Sequence, residues 1–487
     1  MALIIVLWIV AVLGTITMLF NRQATLSLKV NRNTNNASEA RMLAEAGIYR
    51  LMAELVTDKT ETTYDSLDET WSQNAEAFGN VMLGNGTYSL NRSTPDGENS
   101  IEYGAVDECS KININTANRD MLMRLPNAEE EVIDAIIDWR DDNDTPATYG
   151  AESEYYESLS EPYQAKNAFY DSVEELLLVK GMTLDLLYGE DTNTNGLLDA
   201  NENDGNKTPP LDNSDGELER GWHPYITAYS YEKNVSGEGE SRVNINSAKK
   251  DELKQTFNKE ITDKEIDAII SVRDEEKFAS IGELMDKTIS SNSNNNSNNS
   301  ANNNNKNNNR NNRNNNRNNR NNRNNQNKNN QNKNNNNKNN NNKNNNNKNN
   351  NNNNTSNSIS LSKEKFKNIA GKITVSDEEE LVGKININTA PKMVLNILFN
   401  DEDLVEKIIE YRKSGEAPFD NIGELMDIQG MSKSKFIGVC GNICAKSSVF
   451  SARSSGLIER SRAYKEIYAV VDRGVDPPEI RYWKVLR

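Results

Sequence analysis

Ile112-Asn113-Ile114-Asn115-Thr116-Ala117 returns as Val243-Asn244-Ile245-Asn246-Ser247-Ala248 and again as Ile385-Asn386-Ile387-Asn388-Thr389-Ala390. Each copy leads into an apolar helical stretch closed by an arginine: Ile136-Ile137-Asp138-Trp139-Arg140, Ile269-Ile270-Ser271-Val272-Arg273 and Ile408-Ile409-Glu410-Tyr411-Arg412. A third phrase follows, Tyr170-Asp171-Ser172-Val173-Glu174-Glu175-Leu176, then Phe278-Ala279-Ser280-Ile281-Gly282-Glu283-Leu284, then Phe419-Asp420-Asn421-Ile422-Gly423-Glu424-Leu425. Three phrases in one order, three times over, define an internal repeat of helical units. Asn115, Thr116 or both are expected to cap the first helix of the first unit, and Gly181 to stop its last.

Strand patterns flank the repeats. Residues 86–91 and 100–104 alternate around the turn Pro95-Asp96-Gly97, residues 225–231 follow the first unit, and residues 448–453, 464–473 and 480–485 end the chain. The last three read as antiparallel strands of one sheet. The fold class is therefore α+β, with helical units inserted into a β-domain.

At the other end, residues 1–20 carry no charge. A helix of that length spans ~30 Å, the thickness of a bilayer's hydrocarbon core. Helical spacing continues through Ala37, Ala40, Ala44, Ile48, Leu51 and Leu55 on a polar background, so one long helix is expected, apolar first and amphipathic later. The domain plan is a transmembrane helix over 1–57, sheet over 58–110, a first helical unit over 111–221, and strands with a second unit over 222–290. An asparagine-rich insert over 291–358, a third unit over 359–445 and closing strands over 446–487 complete it.

The insert holds eleven lysines and arginines and no acid, so removing it takes the net charge of −17 to −28 for the rest of the chain. That acidity argues against a polyanionic partner. Its low complexity cannot bury a core, and a solvated, disordered loop is expected. Cys109, Cys440 and Cys444 make no disulfide framework; Cys440 and Cys444 are close enough to pair in a loop, and on a helix would be small buried residues. The single histidine, His223, has no metal or triad companions nearby.

The sharpest chemical signal is Asp191-Thr192-Asn193-Thr194-Asn195-Gly196-Leu197-Leu198-Asp199-Ala200-Asn201-Glu202. A hard cation such as Ca²⁺ takes six to eight oxygens, and the known calcium loop supplies them from positions 1, 3, 5, 7, 9 and 12 around a glycine at 6. Here those are Asp191, Asn193, Asn195, the carbonyl of Leu197, Asp199 and Glu202, with Gly196 at the bend. Calcium is thus the expected cofactor. Asp212, Asp215 and Glu217, in a second acidic turn, are candidates for another ion.

The repeat resembles the helix-hairpin-helix module of competence and repair proteins, which grips DNA phosphate through glycine-bearing hairpins and basic residues. The hairpins here, Leu125-Pro126-Asn127-Ala128-Glu129-Glu130, Phe257-Asn258-Lys259-Glu260 and Phe399-Asn400-Asp401-Glu402, lack the glycines and carry acids. No nucleic acid is expected as partner, and the units read as scaffold. A membrane-anchored DNA receptor is the alternative.

Taken with Met42-Leu43-Ala44-Glu45-Ala46-Gly47, Gly221-Trp222 and Tyr482-Trp483, these motifs make the chain similar to the K minor pseudopilins of type II secretion (general secretion pathway protein K) over nearly its whole length. The resemblance implies a pilin-like fold with a large helical insertion, bound calcium and no enzymatic activity. It also implies an inner-membrane anchor through residues 1–20 with the bulk of the chain in the periplasm. The implied partners are the I and J minor pseudopilins at the tip of a short filament, secreted substrates, and a prepilin peptidase acting on a precursor. No basic leader precedes Met1, consistent with a mature form or a late start. Most pilins carry a glutamate near the start of the mature helix, where Ile5 stands here.

Overall fold

Ala2–Glu61 forms one continuous helix, α1, of 60 residues, about 90 Å long at 1.5 Å per residue. The computed structural model describes residues 1–94, 101–205, 207–289, 357–414 and 418–486. The expected turn at Pro95-Asp96-Gly97 and nearly all of the asparagine-rich insert lie outside them. The first half of α1 is apolar and exposed along its length, long and apolar enough to cross a membrane. Its threonines return their hydroxyls to carbonyls three or four residues back, at Thr15, Thr17, Thr25 and Thr34. A helix so satisfied leaves few polar groups for an apolar surrounding to penalise.

In the second half, Ala40, Leu43, Ala44, Gly47, Ile48, Leu51 and Leu55 recur at three- and four-residue spacing and are buried. They pack on an antiparallel sheet. Its strands are β1 (Val81–Leu83), β2 (Gly86–Ser93), β3 (Ile101–Tyr103), β4 (Val106–Asp107), β5 (Val449–Ile458), β6 (Ala463–Asp472) and β7 (Glu479–Val485). The order is β1-β2-β5-β6-β7, with β3 on β2 and β4 on β5. β5 and β6 pair over ten residues, from Val449 opposite Asp472 to Ile458 opposite Ala463. Arg473, just past β6 and fully buried, reaches Asp58 at the end of α1 and Asp65 beyond it, tying helix to sheet.

The chain leaves this sheet after Asp107 and re-enters it at Val449. The described residues between form a helical insertion, so the α+β arrangement read from the sequence is the observed one. Each unit opens with two residues of the repeated phrase in a strand and closes when a later segment pairs with them in parallel. Ile112–Asn113 pairs with Ile226–Thr227, Val243–Asn244 with Ile373–Thr374, and Ile385–Asn386 with Ile443–Cys444. The helix Lys363–Ala370 therefore belongs to the second unit, although the sequence plan grouped it with the third. Ile226–Thr227 likewise closes the first unit rather than opening the second.

Inside each unit the phrases grip one another. Asn115, Asn246 and Asn388 each bond through the side-chain amide to both backbone groups of the residue opening the third phrase, Tyr170, Phe278 and Phe419. That duty removes Asn115 from the expected capping role. Asn118 caps instead, its side-chain oxygen accepting from the Met121 N–H at 2.9 Å. Arg140, Arg273 and Arg412 donate to two carbonyls of their own repeated phrase, those of Ile114 and Ala117, Ile245 and Ala248, and Ile387 and Ala390. At the hairpins Asn127, Asn258 and Asn400 take left-handed φ values of 55°, 39° and 50°, a conformation asparagine tolerates better than most residues.

The second and third units clasp each other reciprocally. Lys363–Ala370 packs on the third unit's 3₁₀ turn Ile422–Asp427, and Lys433–Cys440 packs on the second unit's turn Ile281–Met285. Phe366 and Phe436 meet edge to face at 5.3 Å between them. A Cβ on Gly282 would press on Cys440, and one on Gly423 on Ala370. Among the described residues no helix crosses the first unit's matching turn in this way, and Glu174 stands there.

Candidate calcium loop and its seat on the sheet

Residues 191–202 follow the short helix Leu184–Tyr188 and precede the closing strand of the first unit. Asp191 accepts from the N–H groups of Asn195 and Gly196 at 2.9 and 2.8 Å. Asn193 Oδ1 accepts from Asn195 N at 2.9 Å, and Asn195 Oδ1 from Leu197 N at 2.7 Å. Side chains at alternate positions thus turn inward while the backbone wraps them. Gly196 sits at φ +71°, and a Cβ there would collide with Ser93 of β2. Asp199 opens a 3₁₀ turn over Ala200–Glu202 in a capping box, with Glu202 Oε2 accepting from Asp199 N at 3.0 Å.

Across the ring, the Asn193 amide donates to Asp199 Oδ2 at 2.8 Å and Glu202 Oε1 at 3.3 Å, and the Asn195 amide to Asp199 Oδ2 at 2.9 Å. Four of the expected ligands therefore meet. The carboxylates of Asp191, Asp199 and Glu202 do not all lie within 4.8 Å of one another. Leu197 has only its backbone to offer. An asparagine presents either an NH₂ or a carbonyl oxygen to the same spot after a half-turn, so the residues that clasp one another here can also present oxygens to a cation. The donor set is all oxygen and suits calcium.

Burial, joined by Asp191, Asp199 and Glu190, pushes the Glu202 carboxyl up to about 7. Burial also raises Asp191, against the opposing N–H groups of Gly196 and Asn195 and the charges of Arg453 and Arg220. Those two arginines seat the loop. Arg453 of β5 donates to the Asn193 carbonyl, and Arg220 to the carbonyls of Gly196 and Thr94 at 3.0 and 2.8 Å. Sequence reading missed both, since Arg453 stands 260 residues from its partner. It also missed Glu190, next to Asp191, which accepts from Asn213 N and Glu219 N at 3.3 Å each and joins the two turns.

The second turn behaves differently. Asp212 accepts from Gly205 N at 2.8 Å, Asp204 N at 3.1 Å and Ser214 N at 2.8 Å, while Asp215 serves Glu217 N and the Asn213 amide at 2.8 and 2.9 Å. Asp212, Asp215 and Glu217 are not within 4.8 Å of one another. Each aspartate is spent on its own Asx turn, so the three expected ligands do not form a set.

His223 is half-buried against Tyr188, and its imidazole is pushed down to about 4, chiefly by desolvation. All three cysteines are free and buried. Cys440 ends a helix and Cys444 lies in a strand, so the two do not pair.

Helix, sheet and insertion together define a pilin-like subunit, α1 being the pilin helix and the described residues between Asp107 and Val449 its helical head. Two stretches match family models described as type II secretion system protein K, residues 113–188 and 385–439. They coincide with the first and third helical units. Type II secretion system protein K of Aeromonas hydrophila is 28% identical over 199 residues, covering 38% of this chain. The chain spans 59% of the length of that relative. A chain in the crystal structure of the GspK-GspI-GspJ complex from the enterotoxigenic Escherichia coli type 2 secretion system aligns over 93% of this chain and 98% of its own, at 9% identity and a TM-score of 0.43. In its first and third helical units the chain is therefore similar to the type II secretion system protein K family.

Proposed function

We propose that the chain is a non-enzymatic minor pseudopilin at the tip of the type II secretion pseudopilus, where it starts or caps the filament and supports protein export across the outer membrane. The observation that carries this reading is α1. Its second half is fixed to the sheet, while its first half is apolar and exposed. Such a helix rests in the inner membrane as a single span with the head in the periplasm, and packs against sibling helices when a filament forms. The head hangs on the sheet between β4 and β5, a bulk that suits a filament end. Similarity of two helical units to the protein K family models supports the role, and GspI and GspJ, the companions of the structurally similar chain, are the partners to test.

In this reading calcium occupies residues 191–202, through Asp191, Asn193, Asn195, Asp199, Glu202 and the Leu197 carbonyl. Loops of this kind outside cells bind at ~10⁻⁴ to 10⁻³ M, a range for structural ions. The ion would stiffen the joint that Arg453 and Ser93 make between the first unit and the sheet.

Co-purification of the full chain in detergent with candidate I and J subunits tests the role. A stable ternary complex is expected. Failure to associate, together with salt-sensitive duplex DNA binding, would favour the membrane-held DNA receptor instead. For calcium, EDTA is expected to lower the melting temperature of the parent by more than that of Asp199→Ala. A parent indifferent to EDTA would remove the ion from the account.

A further inference from the structure

A separate group of acids lies at the far end of the helix Glu130–Arg140, outside the 191–202 loop. Asp138 is in the last turn, Asp141 follows the helix as its C-cap, and Glu152 precedes the helix Ser153–Glu157. Carboxylate oxygens of all three lie within 4.8 Å of one another. The intervening loop is shaped to bring them together. Ala147 N donates to both Asp138 oxygens at 3.2 and 3.1 Å, Tyr149 N to Asp134 Oδ2 at 3.3 Å, and Asn143 to Asp141 Oδ1 through its backbone and its amide at 3.1 and 2.7 Å.

Glu152 stands apart from its neighbours. It is 4% exposed, and neither of its carboxylate oxygens has a hydrogen-bond partner among the described residues. Burial, then the charges of Asp138, Asp141 and Asp144, push its carboxyl up to about 7. The cations bordering the site are used elsewhere: Arg119 pairs with Asp134 and Glu130, and Lys180 with Glu131 and the carbonyls of Tyr149 and Gly150. A buried carboxylate with no donor calls for a proton or a cation. Two unclaimed oxygens facing two further carboxylates make an oxygen-only cage with no nitrogen or sulfur ligand, the donor chemistry of a hard divalent ion.

We infer that Asp138, Asp141 and Glu152 bind one calcium-sized divalent cation, distinct from any ion in residues 191–202, which locks the loop over 141–152 onto the helix Glu130–Arg140. Trp139 neighbours Asp138, and its ring lies 5.1 Å from that of Tyr156. Trp139, adjacent in sequence to Asp138, is the tryptophan whose sensitised terbium emission the experiment reads.

The experiment uses the full chain in detergent carrying Asp199→Ala and Glu202→Gln, which silences the other loop, with terbium and radioactive calcium as probes. That background is expected to keep one calcium by equilibrium dialysis and to show tryptophan-sensitised terbium emission that calcium displaces and magnesium does not. Adding Glu152→Gln is expected to weaken binding at least tenfold, and Asp141→Asn several-fold, with far-UV circular dichroism unchanged. A background binding no ion, or an ion count untouched by Glu152→Gln, overturns the inference. So does a Glu152→Gln melting temperature raised equally with and without calcium, the signature of a carboxyl that simply holds a proton. Should Glu152→Gln fail to fold, Asp141→Asn decides by the same count.

Discussion

Replacing Asn388 by alanine tests the internal grip of the repeat. Its amide donates to the Phe419 carbonyl at 3.0 Å and accepts from the Phe419 N–H at 2.9 Å, with Asn388 3% and Phe419 0% exposed. Alanine leaves that N–H and carbonyl buried and unpaired, each costing ~1–3 kcal/mol, so the expected loss is about 2–4 kcal/mol after local relaxation. Asn246 makes the same pair of bonds to Phe278 at 3.0 and 2.9 Å but is only half-buried. Water can replace its amide, and Asn246→Ala should cost about 1 kcal/mol. Asn115, 8% exposed, belongs between them. Urea unfolding of the full chain in detergent, followed by tryptophan fluorescence, gives the order directly if the slopes stay equal. Equal costs for all three, or a cost below about 0.5 kcal/mol for Asn388→Ala, would refute the idea that this amide holds each unit closed.

Arg473→Met should be more damaging, since it strands Asp58 and Asp65 in the core; a loss of about 3–5 kcal/mol in the same assay is expected, and near-parental stability would contradict the tie between α1 and the sheet. Glu69 is pushed from 4.5 to about 8, first by burial and then by Asp65 and Asp58. Between those values the folded chain holds a proton that the unfolded chain has released, so stability falls as pH rises through the window. Glu69→Gln should therefore flatten the melting temperature between pH 5 and 8, with the largest gain at pH 8; an unchanged slope would mean that Glu69 is not its source.

The repeat was legible because its phrases are short and recur. The role of each phrase was less so. An amide at Asn115 can cap a helix or clamp a distant strand, and only the arrival of Tyr170, 55 residues later, decides for the clamp. The hairpins lacked the glycines of their resemblance, yet Asn127, Asn258 and Asn400 hold the left-handed turn, so backbone geometry survived a change that composition alone read as loss. Gly282 and Gly423 were a visible clue that went unused. They stand where another unit's helix crosses, and Glu174 replaces them where no described helix does.

By itself the sequence determined whatever follows from local periodicity: the apolar run of α1, the alternating strands at both ends, the three helical units, and the spacing of oxygen donors over residues 191–202. Those signals span a few residues because helix and strand geometry repeat every 3.6 and 2 residues. Tertiary structure decided which segment closes each unit, that Arg453 and Ser93 seat the loop on the sheet, that Asp212 and Asp215 each serve their own Asx turn, and that Glu152 is left without a donor beside Asp138 and Asp141. Burial and long-range pairing set all of these, and neither is written in the neighbourhood of the residues they govern.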